Sequence, residues 1–330
     1  MRKPQTSHFK RRVKETICRL LPRNDVGDAA VGLICHINSH RSLPNLRHPR
    51  TYNEYLLRTK LSQDLLDPLM GFITDKEFVK EFVRAKLGES FNIPTLAILR
   101  DEEAIDSYDF PKNCVIKPTS GSGDALIRKD ALPEVHKTLI KDWLHKDFYL
   151  TSREKNYRNH QRKIIVEELL TDYDGGIPND YKIYCFEGVP AFVRVISQRF
   201  DDGNSKNKAQ ARDVERQSRQ AIFSPTWNRL PLDTILPHLP SFDGFVPKPP
   251  QLSEMLELAS ILAKDFAHVR VDLYLAKGKI RVGELTFVPG NAKTPFVHSH
   301  ADNVVGRLFT EPRLDLEKAL SDKTGLSWSA

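Results

Sequence analysis

One stretch near the C-terminus constrains the fold more than any other. Val269 to Leu275 and Lys279 to Thr286 are two extended runs joined at Lys277-Gly278, a pattern that predicts a β-hairpin. Gly278 falls midway between Asp272 and Glu284, so these carboxylates face each other on one side of a sheet. Arg270, two residues before Asp272, and Thr286, two after Glu284, share that face. Facing carboxylates repel unless a cation sits between them or one is protonated. Mg²⁺ is a hard ion that takes oxygen ligands and bridges phosphates, and an arginine beside it can hold a transferring phosphoryl group. A cross-strand charge network, Arg270 with Glu284 and Asp272 with Lys279 or Arg281, accounts for the same residues equally well at this point.

The upstream chain supplies more strands separated by helices. Asp75 is expected to cap a helix from Lys76 to about Leu87. Pro94 to Leu99 reads as a buried strand, Asp101 to Tyr108 as a short helix, and Cys114 to Lys117 as a strand that returns over Ala125 to Arg128. A helix follows through Trp143, then a strand over Ile164 to Leu170. Asp180 to Phe186, turning at Glu187-Gly188 and returning as Pro190 to Ser197, is a second hairpin. Residues 201–221 are polar without apolar periodicity and read as a mobile loop. Ser253 to Phe266 is an amphipathic helix.

Two segments add chemistry to the hairpin. Lys117 ends a strand at Pro118-Thr119-Ser120-Gly121-Ser122-Gly123. Glycines let backbone N–H groups crowd a phosphate, Ser hydroxyls add donors, and the lysine supplies a point charge. No Gly-Lys-Ser/Thr closes this loop onto a helix, so it is not a Walker A loop. Glu167-Glu168-Leu169-Leu170 leaves a strand with backbone groups free to read an adenine edge; a plain strand terminus has the same pattern.

The net charge of +7 is concentrated at one end. Residues 1–60 hold 13 Lys/Arg against 4 Asp/Glu, so the remainder is slightly acidic. Lys10, Arg11, Arg12, Lys14, Arg19 and Arg23 alternate with apolar residues in a short basic helix, suited either to docking on the body or to weak contact with an anionic membrane surface. No aromatic and basic interleaving elsewhere points to specific nucleic-acid binding. No apolar run reaches the ~20 residues that span a bilayer, no secretory h-region is evident, and the four cysteines lack metal-site spacing; a cytoplasmic protein is expected.

The order of these segments resembles the ATP-grasp superfamily, and within it the TupA-like proteins named for teichuronopeptide biosynthesis. The resemblance runs from about Pro49 to Gly290. It is carried by Pro49-Arg50-Thr51-Tyr52-Asn53-Glu54, Asp75-Lys76, Val115-Ile116-Lys117, Asp180-Tyr181-Lys182-Ile183-Tyr184-Cys185-Phe186, Val269-Arg270-Val271-Asp272-Leu273-Tyr274, and Gly283-Glu284-Leu285-Thr286-Phe287-Val288-Pro289-Gly290. It implies an α+β ATP-grasp fold in which two subdomains clamp ATP between antiparallel sheets. These would be a basic, mostly helical region 1–70, a small subdomain 71–165 with Lys117 and the Gly/Ser loop, and a C-terminal subdomain 166–330. It further implies that Lys76 and Lys117 contact ATP phosphates and that Ser120, Gly121, Ser122 and Gly123 fold over them. Glu167 would accept from the adenine amino group beside the Glu168 and Leu170 backbone, and Asp180 would hold the ribose. Asp272 and Glu284 would bind Mg²⁺, with Thr286 where many ATP-grasp ligases have Asn, and Arg270 would steady the phosphoryl group. The implied activity is carboxylate–amine ligation through an acylphosphate, with an amino acid or amine and a sugar acid of a capsule, cell-wall or surface polysaccharide as substrates. Phosphorylation of a glycan or small-molecule hydroxyl, and a non-catalytic nucleotide- or membrane-binding module, are the alternatives.

Overall fold

The computed structural model describes residues 20–128, 134–197, 219–234, 239–242 and 244–324. Most of the basic N-terminal helix expected above and residues 201–218 of the polar loop lie outside them. Within the described residues two antiparallel sheets form. The first has the order β1-β4-β2-β3 and the second β7-β6-β5-β8-β9.

The first sheet comprises β1 (Thr95–Leu99), β2 (Cys114–Pro118), β3 (Leu126–Arg128) and β4 (Ile164–Glu168). Alternation along β2 and β4 turns Cys114, Ile116, Ile164 and Val166 into one core with Ile140 and Trp143 of the helix Glu134–His145. The opposite side carries Lys117, Ile165 and Glu167, with Lys117 opposite Ile165 and Glu167 opposite Val115. β1 corrects the expectation of a buried strand. Among the described residues it pairs only with β4, and Leu96 stays 42% exposed. β4 lies inside this sheet, so Glu167 and Glu168 stand with Lys117. The chain passes to the second sheet after β4.

The second sheet comprises β5 (Asp180–Phe186), β6 (Val189–Ser197), β7 (Arg219–Phe223), β8 (His268–Ala276) and β9 (Lys279–Thr286). Residues 219–221, expected in the loop, begin β7 because they pair with β6. Ile183, Cys185, Val269, Val271 and Leu273 are fully buried on one face, under Met255, Ala259 and Leu262 of the helix Leu252–Ala263. Each such aliphatic side chain contributes about 1.5–3 kcal/mol on burial. That sum holds the register, because a slip of one residue would drive Arg270 and Asp272 under the apolar helix. The other face is polar at one end (Asp180, Lys182, Asp272) and aromatic at the other (Tyr184, Phe186, His268).

The Pro49-to-Glu54 motif becomes a helix start. Thr51 Oγ1 accepts from Glu54 N–H at 3.1 Å and Glu54 Oε2 accepts from Thr51 N–H at 3.1 Å, a capping box for the helix Tyr52–Leu61. That helix places Tyr52 over the aromatic end of the second sheet, and Asn53 ties it to Asp302 at 3.0 Å.

Asp75 departs from its expected role. Regular helix begins at Val79, not Lys76. Asp75 Oδ1 accepts from Glu77 N–H at 2.8 Å, and Lys76 N–H turns outward to the Thr119 carbonyl at 2.9 Å. This tertiary bond diverts the chain before the helix can propagate, and it fixes Lys76 beside the Gly/Ser loop.

His268 is buried, with Nδ1 2.9 Å from the Cys185 carbonyl and Nε2 3.2 Å from the Tyr52 hydroxyl. A carbonyl only accepts, so Nδ1 carries the proton and Tyr52 donates to Nε2. Burial lowers the imidazole from 6.5 to about 4, while the bond to Cys185 opposes the shift. The unfolded chain therefore takes up this proton first, and stability falls as pH drops from 6.5 towards 4. The window corresponds to about 3 kcal/mol. Urea unfolding across that range should show a steeper loss for wild type than for His268→Gln; parallel slopes would refute the assignment.

Candidate active site

Register builds the site across the second sheet. Lys182 on β5 stands opposite Asp272 on β8, which stands opposite Glu284 on β9. One step along the strands, Arg270 stands opposite Thr286. The carboxylates thus face each other, with a bulge at Gly283 supplying the last step of register beyond the Lys277-Gly278 turn, and a cation sits between them. Arg270 Nε donates to Asp272 Oδ1 at 2.6 Å. Its Nη2 donates to Asp272 Oδ2 at 2.8 Å, Glu284 Oε1 at 3.1 Å and Thr286 Oγ1 at 3.0 Å. Three oxygens from two strands therefore converge on one nitrogen. The pairing of Asp272 with Lys279 or Arg281 does not form; Arg281 donates instead to the Ser90 carbonyl.

Lys182 completes the network by donating to Asp272 Oδ2, with its Nζ also 2.9 Å from Asp180 Oδ2. Its position is readable in hindsight, two residues after Asp180 on a strand whose even positions face the site. Asp180 is fully buried in this pair. Burial raises the Asp272 carboxyl, with Arg270 and Lys182 pulling the other way. At Glu284, burial is outweighed by Lys76, Arg270, Lys182 and Lys117, which hold the carboxyl well below the usual range.

Lys76 joins this face to the first sheet. Its Nζ donates to the Gly121 carbonyl at 2.6 Å and lies 4.0 Å from Glu284 Oε2. Lys163 holds the turn behind it, 3.1 Å from Asp75 and paired with Glu77. Gly121 is required where it stands: φ is +99°, and a Cβ would lie 2.7 Å from the Phe148 ring. Ser122 and Gly123 are exposed at the loop tip and Ser120 is half-buried.

Lys117 lies on the same side of the first sheet, but its partner is a carboxylate. Its Nζ is 2.5 Å from Glu167 Oε2, and Lys80 Nζ is 2.7 Å from Oε1. Burial raises Glu167, but the two lysines outweigh it and lower its carboxyl. Glu168 N–H bonds to the Pro94 carbonyl at 3.0 Å and Leu169 N–H to the Asn113 carbonyl at 3.0 Å. Among the described residues the Leu170 backbone makes no hydrogen bond, so it is the free edge of this segment.

Sequence reasoning did not single out Lys80, Lys182 or Glu154. Glu154 follows the helix Phe148–Ser152 and is 6% exposed. Burial pushes its carboxyl up to about 7, against Lys60, Lys293 and Arg270. Among the described residues no cluster of three His, Cys, Asp or Glu side chains that could hold a metal forms. The donors at the hairpin are two carboxylates and a hydroxyl, a hard-oxygen set that fits Mg²⁺ rather than a softer ion.

With fold and site in view, comparison with known proteins identifies the class. The profile of the TupA-like ATP-grasp family matches residues 56–310, and the chain belongs to that family. No curated protein matches it. Similar solved structures include an L-amino acid ligase from Bacillus licheniformis, at 11% identity over 83% of this chain and 51% of the ligase, with a TM-score of 0.40. A D-alanine–D-alanine ligase from Bacillus anthracis aligns at 16% identity over 77% and 67%, with a TM-score of 0.40. The ATP-grasp ligase PsnB complexed with a minimal precursor aligns at 16% identity over 68% and 54%, with a TM-score of 0.35. The chain therefore spans about half to two thirds of the length of these structures. Among the described residues no helix is long and apolar enough to cross a membrane.

Lys182 offsets the buried Asp180 and Asp272 together. Lys182→Met should destabilise the fold by about 3–5 kcal/mol, because it strands buried charge. Adding Asp272→Asn should restore part of the loss, since the two sites are coupled. Chemical denaturation of the single and double variants measures both; strict additivity would show that the network has no cooperative role.

Proposed function

We propose that this protein is an ATP- and Mg²⁺-dependent carboxylate–amine ligase. The observation that carries this reading is Lys76, whose ammonium reaches both the Gly121 carbonyl of the Gly/Ser loop and the Glu284 carboxylate. A glycine loop, a lysine and a hard-oxygen hairpin on one cleft are the parts phosphoryl transfer needs, because that chemistry is chiefly positioning and charge neutralisation.

In this reading Ser120, Gly121, Ser122 and Gly123 cradle the phosphates with Lys76 and Lys117. Glu167 and the Glu168–Leu170 backbone take the adenine, and Asp180 the ribose. Asp272, Glu284 and Thr286 hold Mg²⁺. The convergence of their oxygens on Arg270 Nη2 supports this, because it is already a cation position. The metal, when bound, neutralises charge on the phosphates. Arg270 then turns its guanidinium from the carboxylates to the transferring phosphoryl group. Lys182 remains as counter-charge to Asp180 and Asp272, so the acidic pair keeps a neutralising partner while Arg270 is engaged.

The substrate carboxylate attacks the γ-phosphate, forming an acylphosphate and releasing ADP. The amine then displaces orthophosphate to give an amide. Membership of the TupA-like family supports an amino acid or amine and a sugar acid of a bacterial surface polysaccharide as the substrate pair, in the cytoplasm or at the inner membrane face.

The test is ADP release screened with pairs of amino acids and uronic acids. ADP formation should require both an acid and an amine and should yield one orthophosphate. Label from the γ-phosphate retained in an organic product would instead indicate hydroxyl phosphorylation. Asp272→Asn and Glu284→Gln should each lower turnover by about 10²–10³-fold or more with the fold intact by circular dichroism. Turnover retained in both would overturn the placement of the metal.

A further inference from the structure

The residues Arg153-Glu154-Lys155-Asn156 are all at least nine-tenths buried, an extreme density of polar groups for a connecting segment. Three of them are tied to the N-terminal helices. Arg153 Nη1 donates to the Pro22 carbonyl at 2.7 Å and to Asp28 at 3.3 Å. Lys155 donates to the Leu61 carbonyl at 2.8 Å and lies 2.9 Å from Asp25. Asn156 donates to Thr74 Oγ1 at 2.9 Å. Arg153 holds φ at +56°, which for a residue with a side chain costs about 1–2 kcal/mol and turns the chain sharply after the preceding helix.

Glu154 is the exception. Its backbone is engaged at both groups, the N–H by Ser152 Oγ at 3.2 Å and the carbonyl by the Tyr157 N–H at 3.2 Å. Among the described residues nothing hydrogen-bonds to its carboxylate. Asn291, just beyond the hairpin strand that carries Glu284, bonds to the Ser152 carbonyl, which sets Glu154 beside the acidic end of the cleft; Lys60, Lys293, Arg270 and Glu284 are the charges that act on it most. The segment also meets the phosphate loop, since the Phe148 ring that closes on Gly121 packs against Tyr157 at 4.8 Å between centroids. The wall beside it is fixed: Lys60 donates to Asn291 Oδ1 at 2.5 Å, and Asn291 donates to the Ser152 carbonyl at 3.0 Å.

No protein donor meets this carboxylate, and its oxygens are not sealed off from solvent, so the little surface Glu154 keeps includes its charged end. A fold that anchors its neighbours on both sides and leaves this group bare is arranged for donors that arrive with a ligand. We propose that Glu154 binds the nucleophilic nitrogen of the acceptor, and that the acceptor is an amine carrying an anionic group, of the amino-acid class. The nitrogen supplies the donors Glu154 lacks, and the half-buried Lys293 beside it suits the anionic group. This rests on the ligase reading above and adds the residue that selects the second substrate.

The test is thermal stabilisation of the full chain by MgADP, alone and with glycine, D-alanine and the common L-amino acids, followed by titration of whichever acts. Wild type should be stabilised by MgADP and further by at least one amino acid. Glu154→Gln and Glu154→Ala should keep the MgADP increment and bind that amino acid about tenfold or more weakly, the loss of one hydrogen bond to a charged group. Equal amino-acid affinity in the variants overturns the proposal. So does loss of the MgADP increment in Glu154→Gln, which would make Glu154 part of the nucleotide site, and so does the absence of any amino-acid increment in wild type. No MgADP effect on wild type would instead remove the ligase reading itself.

Discussion

The site depends on one buried guanidinium. Arg270 Nη2 lies within 3.1 Å of oxygens from Asp272, Glu284 and Thr286, on two strands of one hairpin. Without a cation there, two carboxylates would face each other across paired strands, where like charges destabilise. Lys182 adds a second cation from the neighbouring strand. The apolar side of the same sheet sets the register that brings these groups together, so the helix Leu252–Ala263 indirectly positions the acidic pair.

The second constraint is the link between sheets. Lys76 is drawn out of helical geometry by the bond from its N–H to the Thr119 carbonyl, and its ammonium then spans the Gly/Ser loop and Glu284. Burial lowers the ammonium pKa while Glu284 opposes the shift, so Lys76 and Glu284 stabilise each other's charged forms. The turn around Asp75 thus serves geometry and electrostatics at once. Asp75 shapes the backbone through Glu77 N–H, and its other oxygen takes Lys163 and Thr119.

Much of this was legible because it is local or periodic. Turn position brought Asp272 within one residue of Glu284, a bulge at Gly283 that the sequence reading did not foresee completed the pairing, and alternation put Arg270 and Thr286 on their face. The capping box at Thr51 and Glu54 follows the same kind of local rule. Contacts between distant segments were not legible. Lys80 reaches Glu167 and Lys182 reaches Asp272 across 87 and 90 positions of sequence. The start of the helix at Val79 depended on Thr119, and the exposure of β1 on its having a single neighbour among the described residues. Glu154 carries no motif signal, since a Glu between Arg and Lys in a polar stretch looks solvated; only the partners of Arg153, Lys155 and Asn156 show that the segment is buried.

Under the proposed function, the charge network and the metal site are one arrangement under two conditions. Around the acidic pair and Asp180 stand Arg270, Lys182 and Lys76, three cations against three carboxylates. A site so balanced remains stable without ligands. In the proposed function Arg270 and Lys76 would turn to the phosphates of ATP, and Asp272 and Glu284 would hold Mg²⁺, whose charge would take their place. The exchange keeps the local charge close to balance, which lowers the desolvation cost of closing the cleft over a polyanion. Lys182 has no such exchange to make, because Asp180 and Asp272 hold it on both sides. This distinguishes a cation that preserves the fold from cations that can move to the reacting groups.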